Sequence, residues 1–206
     1  MYTHEKIPST VWDLDAVPEQ VQKYFLEEAA NGTLNLGWLG SHNWLYFTCL
    51  NFAKLQRLGL AEQALLDSFS AANINNGNIS IGVIEYLFQC CSKTRLRELS
   101  DPMPAAGPFT IYRGVAGPRG RRRVRGYSWT GNLPLACWYA SRFAGLANPA
   151  VYVATVEGDQ VLAYLNESHR NEWEFVCRPL RPRRMKLDGE EIKTLAAKPS
   201  QQEAVS

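Results

Sequence analysis

Two glutamates separated by one residue, Glu172 and Glu174, stand among apolar side chains in the C-terminal half of this 206-residue chain. Side chains alternate between the two faces of a β-strand, so residues two positions apart share a face. The pattern predicts a strand over 172–178 with both carboxylates on one face and with Trp173, Phe175 and Cys177 in the core. Paired carboxylates can stabilise a developing cation and accept a proton, although an ordinary solvated strand face would give the same pattern.

Hydroxyl groups are spaced in the same way in a second predicted strand, Arg125 to Trp129. Alternation predicts that Ser128 and Thr130 lie together and that Trp129 faces the core. A hydroxyl can hold a carboxylate or a sugar in position through a hydrogen bond. This segment is therefore the second candidate part of a polar site.

A third element, predicted as a strand over Phe109 to Val115, carries an arginine in an apolar stripe. Arg113 shares its face with Phe109 and Ile111. A buried guanidinium needs an anionic or hydrogen-bonding partner, because its burial alone is costly. The partner is either an anionic ligand or one of the two glutamates.

Taken in chain order, three segments resemble the arginine, serine and glutamate motifs of the R-S-E class of mono-ADP-ribosyltransferases: Tyr112-Arg-Gly114, Tyr127-Ser-Trp-Thr130 and Glu172-Trp-Glu174. The resemblance covers roughly residues 109–188, and the layout is similar to that of small bacteriophage transferases that modify host proteins. The family's serine motif is usually Ser-Thr-Ser, whereas this chain has Ser-Trp-Thr. Because Trp129 is predicted to face the core, we expect little catalytic consequence.

The resemblance implies a split β-sandwich that cleaves NAD, used as a substrate, with no metal. It implies that Glu174 stabilises the oxocarbenium-like transition state, that Ser128 orients groups around it, and that Arg113 holds an NAD phosphate. Glu172 would orient and deprotonate the acceptor, and a Glu-x-Glu pair in this family is associated with arginine acceptors. The same comparison assigns NAD contacts to Tyr112, Gly114 and Thr130.

The helices and strands predicted around these motifs indicate an α+β protein. Residues 1–100 read as helices, residues 101–108 as a proline-rich linker, residues 109–190 as the transferase-like domain and residues 191–206 as a loose tail. The helical periodicity predicts helices from Pro18 to Asn31, from Ser41 to Leu58, from Ala61 to Ala72 and from Ser80 to Leu99, with a loop at 73–78. A helix over Leu133 to Leu146 and two further strands, Val151 to Val156 and Gln160 to Leu165, precede the glutamates, and a last short strand is predicted from Arg183 to Leu187.

Composition narrows the possible functions. No run of about 18 apolar residues is present, so a transmembrane helix is not expected. Five cysteines without a Cys-x-x-Cys pair and three dispersed histidines argue against a disulfide framework, a zinc site and a His-dependent hydrolase. The glycines over 114–120 match neither dinucleotide-binding nor P-loop spacing. We expect a reduced, cytoplasmic protein.

Charge is distributed unevenly between the two halves. Residues 1–100 hold seven Lys and Arg against ten Asp and Glu, whereas residues 101–206 hold fifteen against ten, and five arginines fall within Arg119–Arg125. That run is either a solvated loop or a contact for an acidic protein surface or a nucleic-acid backbone. His169, in the loop before the glutamates, is read as a solvated histidine or as a contact to the acceptor.

Four functions remain open from the sequence. The first is transfer of ADP-ribose to a protein, with arginine as the favoured acceptor, and the second is transfer to RNA or DNA. The third is NAD hydrolysis, with water as the acceptor. The fourth is a non-enzymatic interaction or inhibitor protein with a degenerate transferase fold, in which the helical N-terminal region would be the interaction surface. In each case the role of that region is open: it would cover the NAD cleft, bind the target, or bind an inhibitor.

Overall fold

The computed structural model describes residues 12–71, 79–118, 124–143, 145–166 and 172–196. The chain divides into two compact units, Met1–Leu99 and Ser100–Ser206. Within the described residues there are seven α-helices and a six-stranded antiparallel sheet. The α+β class predicted from the sequence is thus confirmed.

The described part of the N-terminal unit contains five helices: α1 (Glu19–Ala30), α2 (Trp44–Leu58), α3 (Ala61–Ala71), α4 (Ile81–Cys90) and α5 (Lys93–Glu98). Apolar side chains from α1, α2 and the segments around them form one cluster, in which the Phe25 and Phe47 ring centroids lie 5.3 Å apart, edge to face. The predicted end of α2 is confirmed, because Gly59 takes a left-handed φ of 70° as its C-cap.

Two helix boundaries differ from the sequence prediction. A 3-10 turn, Ser41–Asn43, precedes α2, so Ser41 does not cap that helix. The single helix predicted over 80–99 is two helices, because Ser92 leaves the helical conformation and its side chain accepts a hydrogen bond from the Arg95 N–H as the N-cap of α5. The predicted loop at 73–78 lies outside the described residues.

The C-terminal unit is built on the sheet: β1 (Phe109–Val115), β2 (Ser128–Thr130), β3 (Ala150–Val156), β4 (Val161–Leu165), β5 (Glu174–Cys177) and β6 (Arg183–Arg184). Its strand order is β4-β5-β2-β1-β3-β6, and every neighbouring pair is antiparallel. Two helices complete the described part of this unit, α6 (Leu133–Ser141) and α7 (Gly189–Leu195).

Apolar side chains cover both faces of this sheet. One face carries a core that includes Ile111, Trp129 and Phe175. The other packs against α6 and α7 through a cluster of Ala136, Cys137, Ala140, Val151 and Ile192. Trp129 is 1% exposed, so its predicted position in the core is confirmed.

Strand β1 matches its predicted bounds, whereas the ends of several other elements differ. Strand β2 begins at Ser128 rather than Arg125, β6 is only two residues long, and α6 ends at Ser141 rather than Leu146. Residues 191–195, predicted as part of a loose tail, belong to α7, which a capping box between Asp188 and Glu191 initiates. Residues 197–206 are outside the described part of the chain.

Candidate functional site

The strand order brings the three motif segments side by side. Strands β5, β2 and β1 are consecutive neighbours in the sheet, although Thr130 and Glu174 are 44 positions apart in the chain. Thr130 on β2 is paired with Tyr112 on β1 and with Glu174 on β5. Residues paired across neighbouring strands present their side chains on the same face, so Tyr112, Thr130 and Glu174 share one face of the sheet.

Glu174 is the buried carboxylate of the site. Glu174 is only 6% exposed. The residues paired with it on the two neighbouring strands, Thr130 and Leu165, are 6% and 1% exposed. In this low-dielectric setting, the negative charge acts more strongly on a nearby positive charge than it would in water. A cation that develops beside Glu174 would therefore be strongly stabilised.

Glu172 and Trp173 lie outside the strand to which they were assigned. Strand β5 begins at Glu174, and Trp173 has a left-handed φ of 45°, which interrupts the alternation of side chains. Trp173 is 44% exposed, so the prediction that it lies in the core is wrong. The alternation used to place Glu172 on the face of Glu174 does not apply to this segment, in which Glu172 is half-buried.

Hydrogen bonds fix this segment to the turn that follows β2. The Thr130 hydroxyl donates to the main-chain carbonyl of Glu172 at 2.7 Å and accepts from the Asn132 N–H at 3.0 Å. The Gly131 N–H donates to the Trp173 carbonyl at 3.0 Å. The main chain immediately before Glu174 is thus positioned by Thr130 and Gly131, at the end of the serine motif.

Arg113 connects β1 to the segment that carries Ser128. By alternation it shares the face of Phe109 and Ile111, which is opposite to the face of Tyr112, Thr130 and Glu174, so the sheet does not bring Arg113 and Glu174 together on one face. The Nη1 of Arg113 donates a hydrogen bond to the main-chain carbonyl of Ser128. The guanidinium lies against Gly126, where an added Cβ would overlap it. Glycine at 126 therefore leaves the room that the Arg113 side chain occupies.

The charges of the arginine and the glutamate both act on one thiol. Burial raises the pKa of Cys177 from 9.0 to about 12, while Arg113 lowers it and Glu174 raises it. Opposite effects on the same thiol indicate that both charges lie within electrostatic range of Cys177. Both charges therefore affect Cys177, although the side chains of Arg113 and Glu174 lie on opposite faces of the sheet.

Tyr112 and Gly114, the predicted NAD contacts on β1, face α6. Tyr112 packs against the cluster that α6 and α7 form with the sheet. A Cβ at Gly114 would overlap the main-chain carbonyl of Ala136 and would lie 2.7 Å from the Ala140 nitrogen. Gly114 is therefore required for the close approach of α6 to β1, and the predicted contact of both residues with NAD stays a prediction.

Some positioning residues were not identified from the sequence. Gly126 is one of them. The only sign of its role in the sequence is that a glycine beside a strand can mark a place where another group approaches the backbone closely. Asn132 is another: its side chain accepts from the Leu135 N–H as the N-cap of α6, and Asn before Leu-Pro is a recognisable helix start. Asn166, whose side chain accepts from the Trp173 N–H at 3.2 Å, gives no such local signal.

Two further predicted features are the histidine before the glutamates and the arginine run after β1. His169 and the arginines at 119 and 121–123 lie outside the described residues, while Arg125 is exposed. In the part of the chain that is described, no cluster of three His, Cys, Asp or Glu side chains could hold a metal ion. No helix in those ranges combines the length and the apolar character needed to cross a membrane.

Comparison of the chain with protein-family models, with curated proteins and with solved structures gives no match. The functional assignment consequently depends on the motifs and on the geometry described above.

Proposed function

We propose that this protein is a mono-ADP-ribosyltransferase that cleaves NAD and transfers ADP-ribose to a macromolecular acceptor, with protein arginine as the favoured acceptor. One observation carries the proposal: the strand order β5-β2-β1 makes neighbours of the three segments that resemble the glutamate, serine and arginine motifs. The split β-sandwich implied by the resemblance needs two packed sheets, whereas the described residues form one six-stranded sheet, so the proposal depends on the order of the strands within that sheet. Five free cysteines are compatible with a reducing cytoplasm as the site of action.

Glu174 is assigned the main electrostatic role in the reaction. When the bond between nicotinamide and ribose breaks, positive charge develops on the ribose, as it does in glycoside hydrolysis. A carboxylate fixed beside that carbon stabilises the charge without reorganising at the moment of reaction. Burial of Glu174 between Thr130 and Leu165 favours this role, because a fixed charge in a low dielectric acts more strongly.

Arg113 and Ser128 are assigned to the binding of NAD. A guanidinium carries five N–H donors, enough to hold a strand carbonyl and a phosphate oxygen together. The hydrogen bond from Arg113 to the Ser128 carbonyl would keep β1 and β2 in register while the same side chain binds NAD phosphate. Ser128 shares a face with Thr130 by alternation, so its hydroxyl can orient Glu174 or the ribose. Tyr112 and Gly114 complete the assigned contacts.

Glu172 is assigned to the acceptor. It is half-buried and precedes β5, so its carboxylate is less enclosed than that of Glu174. A carboxylate can pair with an arginine guanidinium and take a proton from it as the new bond to ribose forms. The two glutamates thus have different surroundings that suit different roles.

The test is incubation of the purified chain with labelled NAD and a bacterial lysate, followed by protease or nuclease. We expect label that is lost only to protease, and we expect Glu172→Gln to reduce transfer more than NAD hydrolysis. Equal loss of both activities in that variant would contradict the role given to Glu172. Absence of NAD consumption by the unmodified chain would overturn the proposal in favour of a non-enzymatic interaction protein.

A nucleic-acid acceptor is the second candidate, and one structural observation favours it. Four exposed arginines lie within seven positions near the short edge strand β6: Arg178, Arg181, Arg183 and Arg184. A cluster of arginines can neutralise successive phosphates of RNA or DNA. Label that is lost to nuclease rather than to protease would identify this function, and free ADP-ribose without macromolecular label would identify an NAD glycohydrolase.

A further inference from the structure

Trp173, the residue between the two glutamates, is held in an unusual exposed position. Trp173 is 44% exposed, whereas Trp129 on β2 and Phe175 on β5 are 1% and 3% exposed. Single exposed apolar side chains are normal on protein surfaces, and several others occur among the described residues, such as Tyr86 at 63%. Trp173 differs from them in its backbone conformation.

The backbone accounts for the exposure. Trp173 has a φ of 45°, in the left-handed region that non-glycine residues rarely adopt. Hydrogen bonds hold it there: its N–H donates to the Asn166 side chain at 3.2 Å, and its carbonyl accepts from the Gly131 N–H at 3.0 Å. Strain of this kind persists where the surroundings fix it, and it concentrates at functional sites.

The chemistry around the indole indicates what it can bind. Trp173 is flanked in the chain by the carboxylates of Glu172 and Glu174, and an indole face attracts cations more strongly than any other aromatic side chain. A planar guanidinium can bind to an indole and to a carboxylate, because it stacks on aromatic rings and pairs with carboxylates. The C-terminal unit already contains such a contact, because Arg142 lies over the rings of Trp138 and Tyr139 at 4.9 and 4.4 Å.

We propose that Trp173 binds the acceptor by stacking its indole on the guanidinium of the arginine to be modified. This inference rests on the proposed transferase function and makes it more specific. The left-handed backbone at 173 turns the ring outward to meet the acceptor, while Glu172 pairs with the same guanidinium. The site thereby distinguishes a planar arginine side chain from the compact ammonium of lysine, which presents no flat surface to stack on the ring.

The experiment measures ADP-ribosylation of agmatine, a small guanidine, by the full chain and by Trp173→Leu and Trp173→Phe. Leucine keeps apolar bulk but removes the ring, so we expect the KM for agmatine to rise about fivefold to tenfold while kcat changes less. Phenylalanine keeps a ring face, and we expect it to restore most of the affinity. Trp38→Leu is the matched control, because Trp38 has a similar exposure of 39% and belongs to the N-terminal unit.

The outcomes separate this inference from the proposed function. If the unmodified chain modifies agmatine and Trp173→Leu keeps its KM, the stacking role is overturned while the transferase assignment stands. If the unmodified chain labels RNA but not agmatine, the inference is also overturned. If the unmodified chain consumes no NAD, both fail. Thermal unfolding of each variant is measured alongside, and a lower melting temperature with an unchanged KM counts against the inference.

Discussion

The guanidinium of Arg113 donates a hydrogen bond to the main-chain carbonyl of Ser128, and this contact joins the arginine motif to the serine motif. It forms because the two strands are neighbours and because Gly126 leaves space beside the guanidinium. Arg113 therefore has a structural role between β1 and β2 in addition to the binding role proposed for it.

Substitution of Gly126 by alanine should displace Arg113. The new methyl group would overlap the guanidinium, and the flexible side chain can move aside with little loss of stability. We expect kcat/KM for NAD to fall by about tenfold or more, because small misplacements of a binding group are costly. Gly145→Ala, where an added Cβ meets no atom within 4 Å, is the control and should behave as the unmodified chain. Equal activity in both variants would contradict the positioning of Arg113 by Gly126.

Thr130→Val should separate the role of the hydroxyl from that of the side-chain shape. Valine removes the hydrogen bonds to the Glu172 carbonyl and the Asn132 N–H, at a residue that is 6% exposed. Buried groups left without partners cost about 1–3 kcal/mol, so the melting temperature should fall and the segment before β5 should be less well positioned. Thr130→Ser keeps the hydroxyl and should retain more activity. If serine and valine variants transfer ADP-ribose equally well, the hydroxyl does not position the segment.

Gly114→Ala should lower the stability of the fold and not only the rate of the reaction. Its methyl group would meet the main chain of Ala136, which cannot move without displacing α6. We expect a loss of about 1–3 kcal/mol or more, measured by denaturant unfolding. Gly82→Ala, in the helix α4 with no close contact, should instead raise stability slightly. An unchanged unfolding midpoint for Gly114→Ala would show that α6 does not approach β1 as described.

The Cys177 thiol should be inert in the folded protein. Burial raises its pKa to about 12, so at pH 8 the thiolate fraction is about 10³-fold lower than in an unfolded chain. Between pH 9 and pH 12 the unfolded chain loses this proton first, and stability should therefore fall as the pH rises. Alkylation followed by mass spectrometry should modify Cys177 only after denaturation. Rapid modification at pH 8 in the native state would contradict the burial of this end of β5.

The sequence predicts the strands well where the pattern is long and regular. The alternation over Phe109–Val115 gave the bounds of β1, and the burial of Trp129 followed from the same rule. The C-terminal helix α7 was missed although Asp188 and Glu191 form a recognisable capping box. The composition of residues 191–206 does not by itself indicate a helix, whereas the capping residues do.

The conformation of Trp173 was beyond prediction from its own neighbourhood. Its left-handed φ depends on hydrogen bonds to Asn166 and Gly131, which are 7 and 42 positions away in the chain. No strand periodicity encodes such contacts, because they exist only once β2 and β5 are paired. Alternation therefore predicts this side chain in the core, whereas the tertiary structure leaves it exposed.

The most direct test of the account is NAD cleavage by Glu174→Gln. The amide keeps the size of the side chain and removes the charge that would stabilise the developing cation, so turnover should fall by about 10²-fold or more. Glu190→Gln is the control, because that carboxylate is exposed and pairs only at the surface with Lys193, at 2.7 Å. Loss of NAD cleavage in Glu174→Gln alone is the predicted result. Unreduced turnover in Glu174→Gln would contradict the assignment of the buried glutamate as the centre of the site.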